Sequence, residues 1–431
     1  MSLSTVSLMR YLVIFVLVVL GAFSAGSRVI ELSDRFLDVR HEGQWFVKFY
    51  APWCAHCKRL EPIWNHVAQT LYNTNVRVGK VDCTRFTSVA QTFNINSFPT
   101  IVFLKEGVEF VYNGERSKEE LIHFVMRMSG PPVQLVTRTD SVDMLKASHP
   151  IFFSFVGRQE GLLWDTYSAV AETFQPHGFF YATSAEIARE HFDIDTLPAV
   201  IVYKERSHFY YPLSGELSFV EPTHMNRTMH AWVNEERFSL FPKVTRANIN
   251  ELMLTRKYLV LAVVEENRLS EVQAHEMEFR DMIEGVIRMN HGKWHARFQF
   301  GWIGNPELAH SIAMDTLETP HLLVLNSTTS EHHIPDDEPL KLTPEAVQVF
   351  LEHIHNQSAP AYGGNSLLVR LYRTYFEARR SLSDMWRGNP VLTSVLFGLP
   401  LGFLSLIVYS ICCADILDAD EEEVDGHEKA E

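Results

Sequence analysis

Residues 50–58 read Y-A-P-W-C-A-H-C-K and contain Cys54 and Cys57, two of only five cysteines in the chain. Two thiols at this spacing can form a redox-active dithiol, half of a metal site, or a structural disulfide. Zinc requires four ligands and would normally recruit a second cysteine pair, but no cysteine lies between Cys83 and Cys412. A structural disulfide across so short a loop would restrict the unfolded chain little. The residues therefore favour a redox-active dithiol and argue against a bound metal.

The segment around the cysteines predicts how they are positioned. W-F-V-K-F at residues 45–49 predicts a strand, and a helix is expected to begin near Cys54. At a helix N-terminus the unpaired N–H groups and the helix dipole favour an anion, so Cys54 is expected to be the nucleophilic thiolate. His56, when protonated, would stabilise this thiolate further. Cys57 lies one helical turn further on, and we expect it to be more buried and to act as the resolving thiol.

An internal repeat predicts the domain organisation. The segment F-N-I-N-S-F-P-T-I-V-F-L-K at residues 93–105 is followed by similar segments at 192–204 and 314–326, each with a proline before an apolar strand. Strand and helix signals alternate around these segments, which is typical of an α/β sandwich with a mixed sheet between helices. The pattern predicts three tandem modules, at residues 27–130, 131–240 and 241–358. In these modules only the first contains cysteines, and its third cysteine, Cys83, is expected to pack as a small apolar residue or to act as a regulatory thiol.

Composition and charge narrow the class of protein. Hydrophobic residues make up 46% of the 431 residues and charged residues 21%, which fits globular cores. Five cysteines are too few for a disulfide-dense scaffold. The formal net charge of −15 comes with no basic stripe, which argues against nucleic acid as a partner.

Two apolar segments predict how the chain meets a membrane. Residues 1–26 combine a short polar start, an apolar run and small residues, which is the pattern of a cleaved signal peptide. Residues 391–414 carry no charge and are long enough to cross the hydrocarbon core. Residues 27–390 are therefore expected outside the cytosol, and the acidic tail at 415–431 inside it. This arrangement is that of a single-pass type I membrane protein.

The arginines before this segment and the sequons of the preceding region bear on the expected topology. Arg379, Arg380 and Arg387 lie on the outer side, the reverse of the usual positive-inside bias, but large domains translocate largely regardless of charge. The N-x-[ST] sequons that fall in the outer region are candidates for glycosylation. These sequons are at Asn226, Asn326 and Asn356.

The region just before the apolar segment has its own pattern. In residues 359–390 a linker precedes apolar residues that recur at three- and four-residue steps among arginines, which predicts an amphipathic helix. This helix could lie on the membrane surface or pack on the third module. Cys412 and Cys413, at the inner end of the span, are either palmitoylation sites or lipid-facing residues.

Residues 28–130 resemble the catalytic thioredoxin module of the protein disulfide isomerase family. The resemblance rests on F-Y-A-P-W-C-A-H-C-K, L-E-P-I-W-N, V-G-K-V-D-C-T and F-P-T. The whole chain resembles the membrane-anchored, thioredoxin-related members of that family, including F-G-L-P-L-G at residues 397–402. This implies three tandem thioredoxin-like domains, one catalytic and two cysteine-free, followed by a single transmembrane helix.

The resemblance also implies an activity. A member of this family would be a thiol–disulfide oxidoreductase or isomerase of the endoplasmic reticulum membrane, with its catalytic domain in the lumen. Folding secretory or membrane proteins would be its clients, glutathione or other oxidoreductases its redox partners, and no cofactor beyond the dithiol would be needed. The alternative function is a client-binding chaperone or adaptor with secondary redox activity, because two modules have no thiol.

Several residues match or depart from the family pattern. The resemblance implies a cis bond before Pro99, facing the dithiol. The residues alone indicate an ordinary proline at the start of a strand. Arg116 matches an arginine that aids deprotonation of the second cysteine. Lys48 stands where the family has a buried acid that accepts a proton from the resolving cysteine. Our hypothesis is that Lys48 favours both thiolates but slows resolution. The tail ends E-K-A-E, so the dilysine retrieval signal of relatives is incomplete.

Overall fold

The computed structural model describes residues 28–213, 221–267 and 269–427, with side chains as far as Ile411. The predicted signal peptide and the last four residues of the tail lie outside the described residues, as do the side chains of Cys412 and Cys413. Within the described ranges the chain forms two compact units. One comprises residues 28–259 with Ile287–Trp302, and the other comprises Val260–Val286 with residues 303–427.

The first module is a five-stranded sheet with helices on both faces, in the strand order β1-β3-β2-β4-β5. Its central strand is buried except at its two end residues, and lies between β3, which runs parallel to it, and β4, which runs antiparallel. The elements are β1 (Ile30–Leu32), α1 (Phe36–Val39), β2 (Gln44–Tyr50), α2 (Ala55–Thr70), β3 (Val76–Asp82), α3 (Thr87–Thr92), β4 (Thr100–Lys105), β5 (Val108–Val111) and α4 (Lys118–Ser129).

Aromatic packing fixes helix α2 on the sheet. Trp64 of α2 is fully buried against Phe46 of β2, and its indole N–H donates to the Gly79 carbonyl at 3.2 Å. Burying a side chain of this size stabilises the fold by about 2–3 kcal/mol. Since α2 begins directly after the cysteine segment, this packing also holds the N-terminus of α2 at the end of β2.

The second module repeats this architecture, in the order β6-β8-β7-β9-β10. Its elements are β6 (Gln134–Val136), α5 (Thr139–Ser148), β7 (Ile151–Val156), α6 (Leu162–Phe174), β8 (Phe180–Thr183), α7 (Ala185–His191), β9 (Ala199–Lys204), β10 (Ser207–Tyr210) and α8 (Pro222–Glu236). The repeated proline stands just before β9, as Pro99 stands before β4. The repeat in the sequence therefore reflects a repeated fold.

The third sheet has the order β12-β11-β13-β14-β15, so the first four strands follow the pattern of the other sheets and β15 is added at one edge. The elements of this region are α9 (Ile249–Met253), β11 (Tyr258–Val263), α10 (Ala274–Met289), α11 (His291–Trp294), β12 (Phe298–Ile303), α12 (Pro306–Ala313), β13 (His321–Asn326), β14 (Glu331–His333), a 3-10 turn (Pro339–Lys341), α13 (Pro344–His355) and β15 (Tyr362–Gly363). Three mixed sheets with helices confirm the predicted fold class.

A buried ion network stabilises the first unit. Lys204, at the end of β9, is 1% exposed and lies 2.7 Å from one carboxylate oxygen of Glu236. The other oxygen of Glu236 lies 2.7 Å from Nε2 of His295. Burial raises the pKa of Glu236, but the hydrogen bond with His295 and the charge of Lys204 outweigh burial and lower it to about 2. The folded state therefore holds Glu236 as a carboxylate.

We expect Glu236→Gln to lower the free energy of unfolding by about 3–5 kcal/mol at neutral pH, because Lys204 would stay buried without its counter-charge. The folded-state pKa lies below the usual 4.5, so the carboxylate contributes fully above that pH and its contribution is lost as the pH falls to about 2. Urea unfolding should show a difference in the free energy of unfolding between wild type and variant, and this difference should become smaller as the pH falls through this range. Glu172→Gln, at an exposed carboxylate of α6, is the control and should change stability by less than about 0.5 kcal/mol. A difference that does not depend on pH would contradict this assignment.

Two long helices follow the third sheet. Helix α14 (Leu367–Gly388) has no buried residue, and helix α15 begins at Pro390 and continues to His427. The segment Pro390–Ile411 of α15 is long and apolar enough to cross a membrane, with a mean hydropathy of 2.3. The predicted amphipathic helix is thus present.

Polar contacts join α14 to α12. Arg380 lies 3.0 Å from Nδ1 of His310 and 4.0 Å from a carboxylate oxygen of Glu307, and Ser311 donates to Glu377 at 3.0 Å. Most apolar residues of α14 remain exposed, and only Val369 and Phe376 are half-buried. The two arrangements that the sequence left open are therefore compatible, because one face of α14 packs on the third module while most of its apolar residues stay exposed.

Candidate active site

The two cysteines of the motif lie at the start of α2, immediately after β2. Cys54 is the N-cap residue in an extended conformation, and Cys57 is in the first turn of the helix. The Cys57 N–H donates to Sγ of Cys54 at 3.2 Å. Both thiols are reduced and buried, with 7% of Cys54 and 3% of Cys57 exposed. The strand, the helix start and the deeper position of Cys57 are as the sequence predicted.

The surroundings separate the acidities of the two thiols. Burial raises the pKa of Cys54, but hydrogen bonds from the Cys57 thiol and from the N–H groups of Cys57 and His56 outweigh burial, so the net shift is downward. The positive charge of Arg116 acts in the same direction. Burial and the hydrogen bond to Cys54 raise the pKa of Cys57 to about 11. Cys54 is therefore the thiol that is ionised first, and Cys57 must lose its proton before it can attack.

The loop before β4 forms one wall of the site. The Phe98–Pro99 peptide bond is cis, and the Cys54 thiol lies 3.7 Å from the Phe98 carbonyl oxygen. Arg116 donates to the Pro99 carbonyl at 3.0 Å, so the structure brings it to this loop. Trp53 is 71% exposed and packs edge-on against Phe98, which leaves an aromatic surface beside Cys54.

Lys48 is completely buried in β2, directly opposite Lys80 of β3 in the parallel register. Like charges at directly opposed positions destabilise a sheet unless a counter-charge is present. Glu61 of α2 supplies that counter-charge: one carboxylate oxygen forms an ion pair with Lys48, and the other lies 3.1 Å from Lys80. Because the Glu61 side chain is 37% exposed, it connects the buried cation to solvent.

The charges of this group are coupled to the resolving thiol. Burial is the largest influence on Lys48 and lowers its pKa, against the opposite effect of Glu61. Burial raises the pKa of Glu61, but hydrogen bonds from Lys48 and Lys80 outweigh it and lower the pKa. The charge of Lys48 also acts to lower the pKa of Cys57. Glu61 was not identified by the sequence analysis. Its position four residues after Cys57 on the same helix could have indicated that the two side chains share a face.

Other residues predicted from the sequence lie outside this cluster. The His56 side chain is exposed and its ring Nδ1 lies 3.0 Å from Arg59, while its backbone N–H acts to lower the pKa of Cys54. Cys83 is buried, and burial raises its pKa to about 11, as fits a packed apolar residue. Over the ranges that the structure describes, no group of three or more His, Cys, Asp or Glu side chains could hold a metal ion.

The sequon asparagines differ in their surroundings. Asn226 is exposed within α8, and Asn356 is exposed at the C-terminal end of α13. Asn326 is half-buried, and its side-chain oxygen accepts from the backbone N–H groups of Thr328 and Thr329 at 2.9 and 3.3 Å. Of the two sequon asparagines that lie outside a helix, Asn356 is therefore the more accessible.

Comparisons with known families agree with the geometry. The thioredoxin family matches residues 31–127, and the thioredoxin-like domain family matches residues 158–353. The first match spans the cysteine motif, the Pro99 loop and Arg116, and the second runs from within the second module through most of the third. The expected thioredoxin folds are therefore confirmed.

Relatives with known names match along most of their length. Protein disulfide-isomerase TMX3 of Xenopus laevis is 32% identical over 407 residues, which cover 94% of this chain and 86% of that protein. The human TMX3 is 32% identical over 391 residues, covering 90% and 82%. Among solved structures, the zinc-bound form of human ERp44 is 15% identical with a TM-score of 0.34, covering 77% of this chain and 89% of that one. On the identity and coverage of the TMX3 proteins, the chain belongs to the protein disulfide isomerase family and is a thiol–disulfide oxidoreductase.

Proposed function

We propose that this protein is a membrane-anchored thiol–disulfide oxidoreductase and isomerase of the endoplasmic reticulum lumen, acting on folding secretory and membrane proteins. The observation that carries the proposal is the reduced Cys54–Cys57 pair at the start of α2, whose pKa values are shifted in opposite directions. The proposed domain bounds remain 27–130, 131–240 and 241–358, with the dithiol in the first domain. The redox partner is glutathione or another oxidoreductase.

The dithiol would work in two exchange steps. The Cys54 thiolate attacks a client disulfide, so that a Cys54–client bond forms and the other client sulfur leaves as a thiolate. Cys57, once deprotonated, then attacks Cys54, forms the Cys54–Cys57 disulfide and releases the second client thiolate. The reverse sequence transfers the disulfide to a client dithiol. The cis Pro99 loop and the exposed Trp53 lie where the client chain would meet Cys54.

Resolution requires a group that takes the proton of Cys57, since a thiol with a pKa of about 11 is almost wholly protonated at neutral pH. We assign this role to Glu61. Its carboxylate lies on the same helix face as Cys57, is held by the buried Lys48, and reaches solvent. Lys48 would thereby stabilise the new thiolate and position the base, rather than slow resolution as the sequence alone led us to expect. Arg116 would support deprotonation from the Pro99 side.

Catalysed refolding tests the oxidoreductase function. The full-length protein, mixed with reduced ribonuclease and a glutathione buffer, should speed recovery of ribonuclease activity. A variant that replaces both Cys54 and Cys57 by serine should recover it no faster than buffer alone. Equal rates for the two proteins would contradict the function, and the reduction potential of the dithiol against glutathione would give the favoured direction.

Client binding is a second function that one observation favours. A cavity of about 560 Å³ lies beside the cis Leu197–Pro198 bond of the second module, at the position that corresponds to the Pro99 loop. Leu197, at its edge, is 40% exposed. In the adaptor function, clients would bind here without any redox step, and a variant without both catalytic cysteines would still hold unfolded clients.

Glycosylation tests the proposed topology, a type I protein with residues 27–390 in the lumen. We expect the protein from eukaryotic cells to carry a glycan on Asn356, because this side chain is exposed at a helix end. Asn356→Gln should therefore abolish one glycosidase-sensitive shift on a gel, whereas Asn326→Gln should leave the pattern unchanged. A wild-type protein that shows no shift would speak against the lumenal placement.

A further inference from the structure

The elbow between α14 and α15 contains a cleft that no part of the redox mechanism uses. Asn389 forms the elbow: its N–H donates to the Met385 carbonyl at 2.9 Å, and its side-chain oxygen accepts from the Leu392 N–H at 3.0 Å. Inside the elbow lies a cavity of about 690 Å³. Because hydrogen bonds from both helices meet at Asn389, the cleft has a defined shape rather than being a gap between loose ends.

The cleft has an apolar floor and a cationic rim. Leu382 and Trp386 line it from α14, Phe397 and Leu401 line it from α15, and Arg379 stands at its edge. These four apolar side chains are 45–64% exposed, so nothing in the described part of the chain covers them. A cavity of this size and lining is of the kind that binds small apolar ligands.

The neighbouring arginines are used in different ways. Arg380 is engaged by His310 and Glu307 of α12, whereas Arg379 makes no ion pair among the described residues. A cation placed beside an apolar cleft complements a ligand with an anionic head and an apolar tail. Trp386, which lines the same cleft, is of a residue type that is enriched at the membrane–water interface.

We propose that this elbow binds a membrane phospholipid, with an acyl chain in the cleft and the phosphate on Arg379. The inference rests on the proposal that α15 spans the membrane, since the elbow then lies at the level of the lipid headgroups. Phosphate–arginine pairing explains why cationic residues stand on the outer side of the span, against the usual charge bias.

The chain offers matched variants for a test. A Cβ at Gly398, which lines the cleft, would meet no atom within 4 Å, and the same holds for Gly402 one turn further along α15, outside the cleft. Gly398→Leu therefore fills the cleft and Gly402→Leu is its control. Arg379→Gln removes the proposed phosphate contact, and Arg370→Gln, at an exposed arginine of the same helix, is the second control.

Native mass spectrometry of the detergent-purified full-length protein gives the readout, with palmitoyl-oleoyl phosphatidylglycerol as the probe. We expect one bound lipid, with apparent affinity lowered about tenfold or more by Gly398→Leu and by Arg379→Gln. Both control variants should bind as wild type does. Palmitoyl-oleoyl glycerol, which lacks the phosphate, should bind more weakly and should not respond to Arg379→Gln.

Three outcomes would overturn the lipid site. Equal binding by Gly398→Leu and Gly402→Leu would place the lipid elsewhere, and equal binding by the two arginine variants would exclude the phosphate contact. A protein dimer that Gly398→Leu dissociates would assign the cleft to a second copy of the chain. Carbonate extraction from membranes tests the proposed membrane span separately. If the protein resists extraction but Gly398→Leu does not change its lipid binding, the span is retained and only the lipid site is excluded.

Discussion

A Cys57→Ala variant of the full-length chain is expected to accumulate mixed disulfides with client proteins, all of them through Cys54. The variant keeps the nucleophile with the lowered pKa and removes the thiol that would release the client. Cys83 is not expected to replace Cys57, because it packs in a different part of the core, with Phe49 and Val89, whereas Cys54 and Cys57 pack with Ala51. Non-reducing gels of alkylated lysates would measure the complexes.

The controls separate the two proposed functions. Replacing Cys54 by alanine should remove every complex and reduce disulfide exchange to the uncatalysed rate, while Cys83→Ala should leave both unchanged. If Cys57→Ala captures nothing and the variant without either catalytic cysteine still binds unfolded clients, client binding is the main function. Complexes that survive the loss of Cys54 would contradict the assignment of the nucleophile.

Glu61→Gln is expected to impair both stability and resolution. It leaves Lys48 buried without a counter-charge and opposite Lys80, which should cost about 3 kcal/mol in the free energy of unfolding. It also removes the carboxylate that accepts the proton of Cys57, which should slow resolution about a hundredfold. Denaturant unfolding measures the first effect, and stopped-flow release of client from a preformed mixed disulfide measures the second.

A second substitution distinguishes the chemical effect from the structural one. Lys48→Met combined with Glu61→Gln replaces the ion pair by neutral groups, so most of the lost stability should return. Resolution should remain slow in the double variant, because the carboxylate is still absent. Lys48→Met alone should resolve the mixed disulfide faster than Glu61→Gln or the double variant, since Lys80 still holds Glu61 at 3.1 Å. A double variant that resolves as fast as wild type would exclude Glu61 as the base.

The pH dependence of the resolution rate is a further test of Glu61 as the proton acceptor. The pKa of Glu61 is lowered by Lys48 and Lys80, so the wild-type carboxylate is ionised throughout the neutral range and the rate should vary little there. Without the carboxylate, Cys57 must lose its proton to solvent, and the rate should rise about tenfold per pH unit up to its pKa of about 11. Parallel profiles for wild type and Glu61→Gln would count against this role.

Much of the catalytic module could be read from local patterns. The run at 45–49 appears as part of β2, and Cys54 caps α2, because alternation, apolar runs and helix-start chemistry act over a few residues. The recurring proline before β4, β9 and β13 predicted three related modules, since each copy encodes the same strand entry. The amphipathic helix before the span followed from its periodicity alone.

The contacts between distant segments could not be read in this way. Lys48 looked like a lone basic residue in place of an acid, until the packing of α2 on β2 and β3 brought Glu61 between Lys48 and Lys80. His56 lies between the cysteines in sequence, yet the helix places its ring in solvent beside Arg59. The contacts of Arg380 with His310 and Glu307 of α12 likewise join segments about 70 residues apart, and no local pattern predicted them.

The sequence by itself determined the chemistry of this protein: a single dithiol, at a helix start, in the first of three related modules and ahead of one apolar segment long enough to cross a membrane. Only the tertiary structure decided how that chemistry is controlled, by placing Glu61 on Lys48 and Arg116 on the Pro99 carbonyl. The physical reason is range. Strand alternation and helix capping depend on neighbours along the chain, whereas burial and counter-charges depend on which segments pack together.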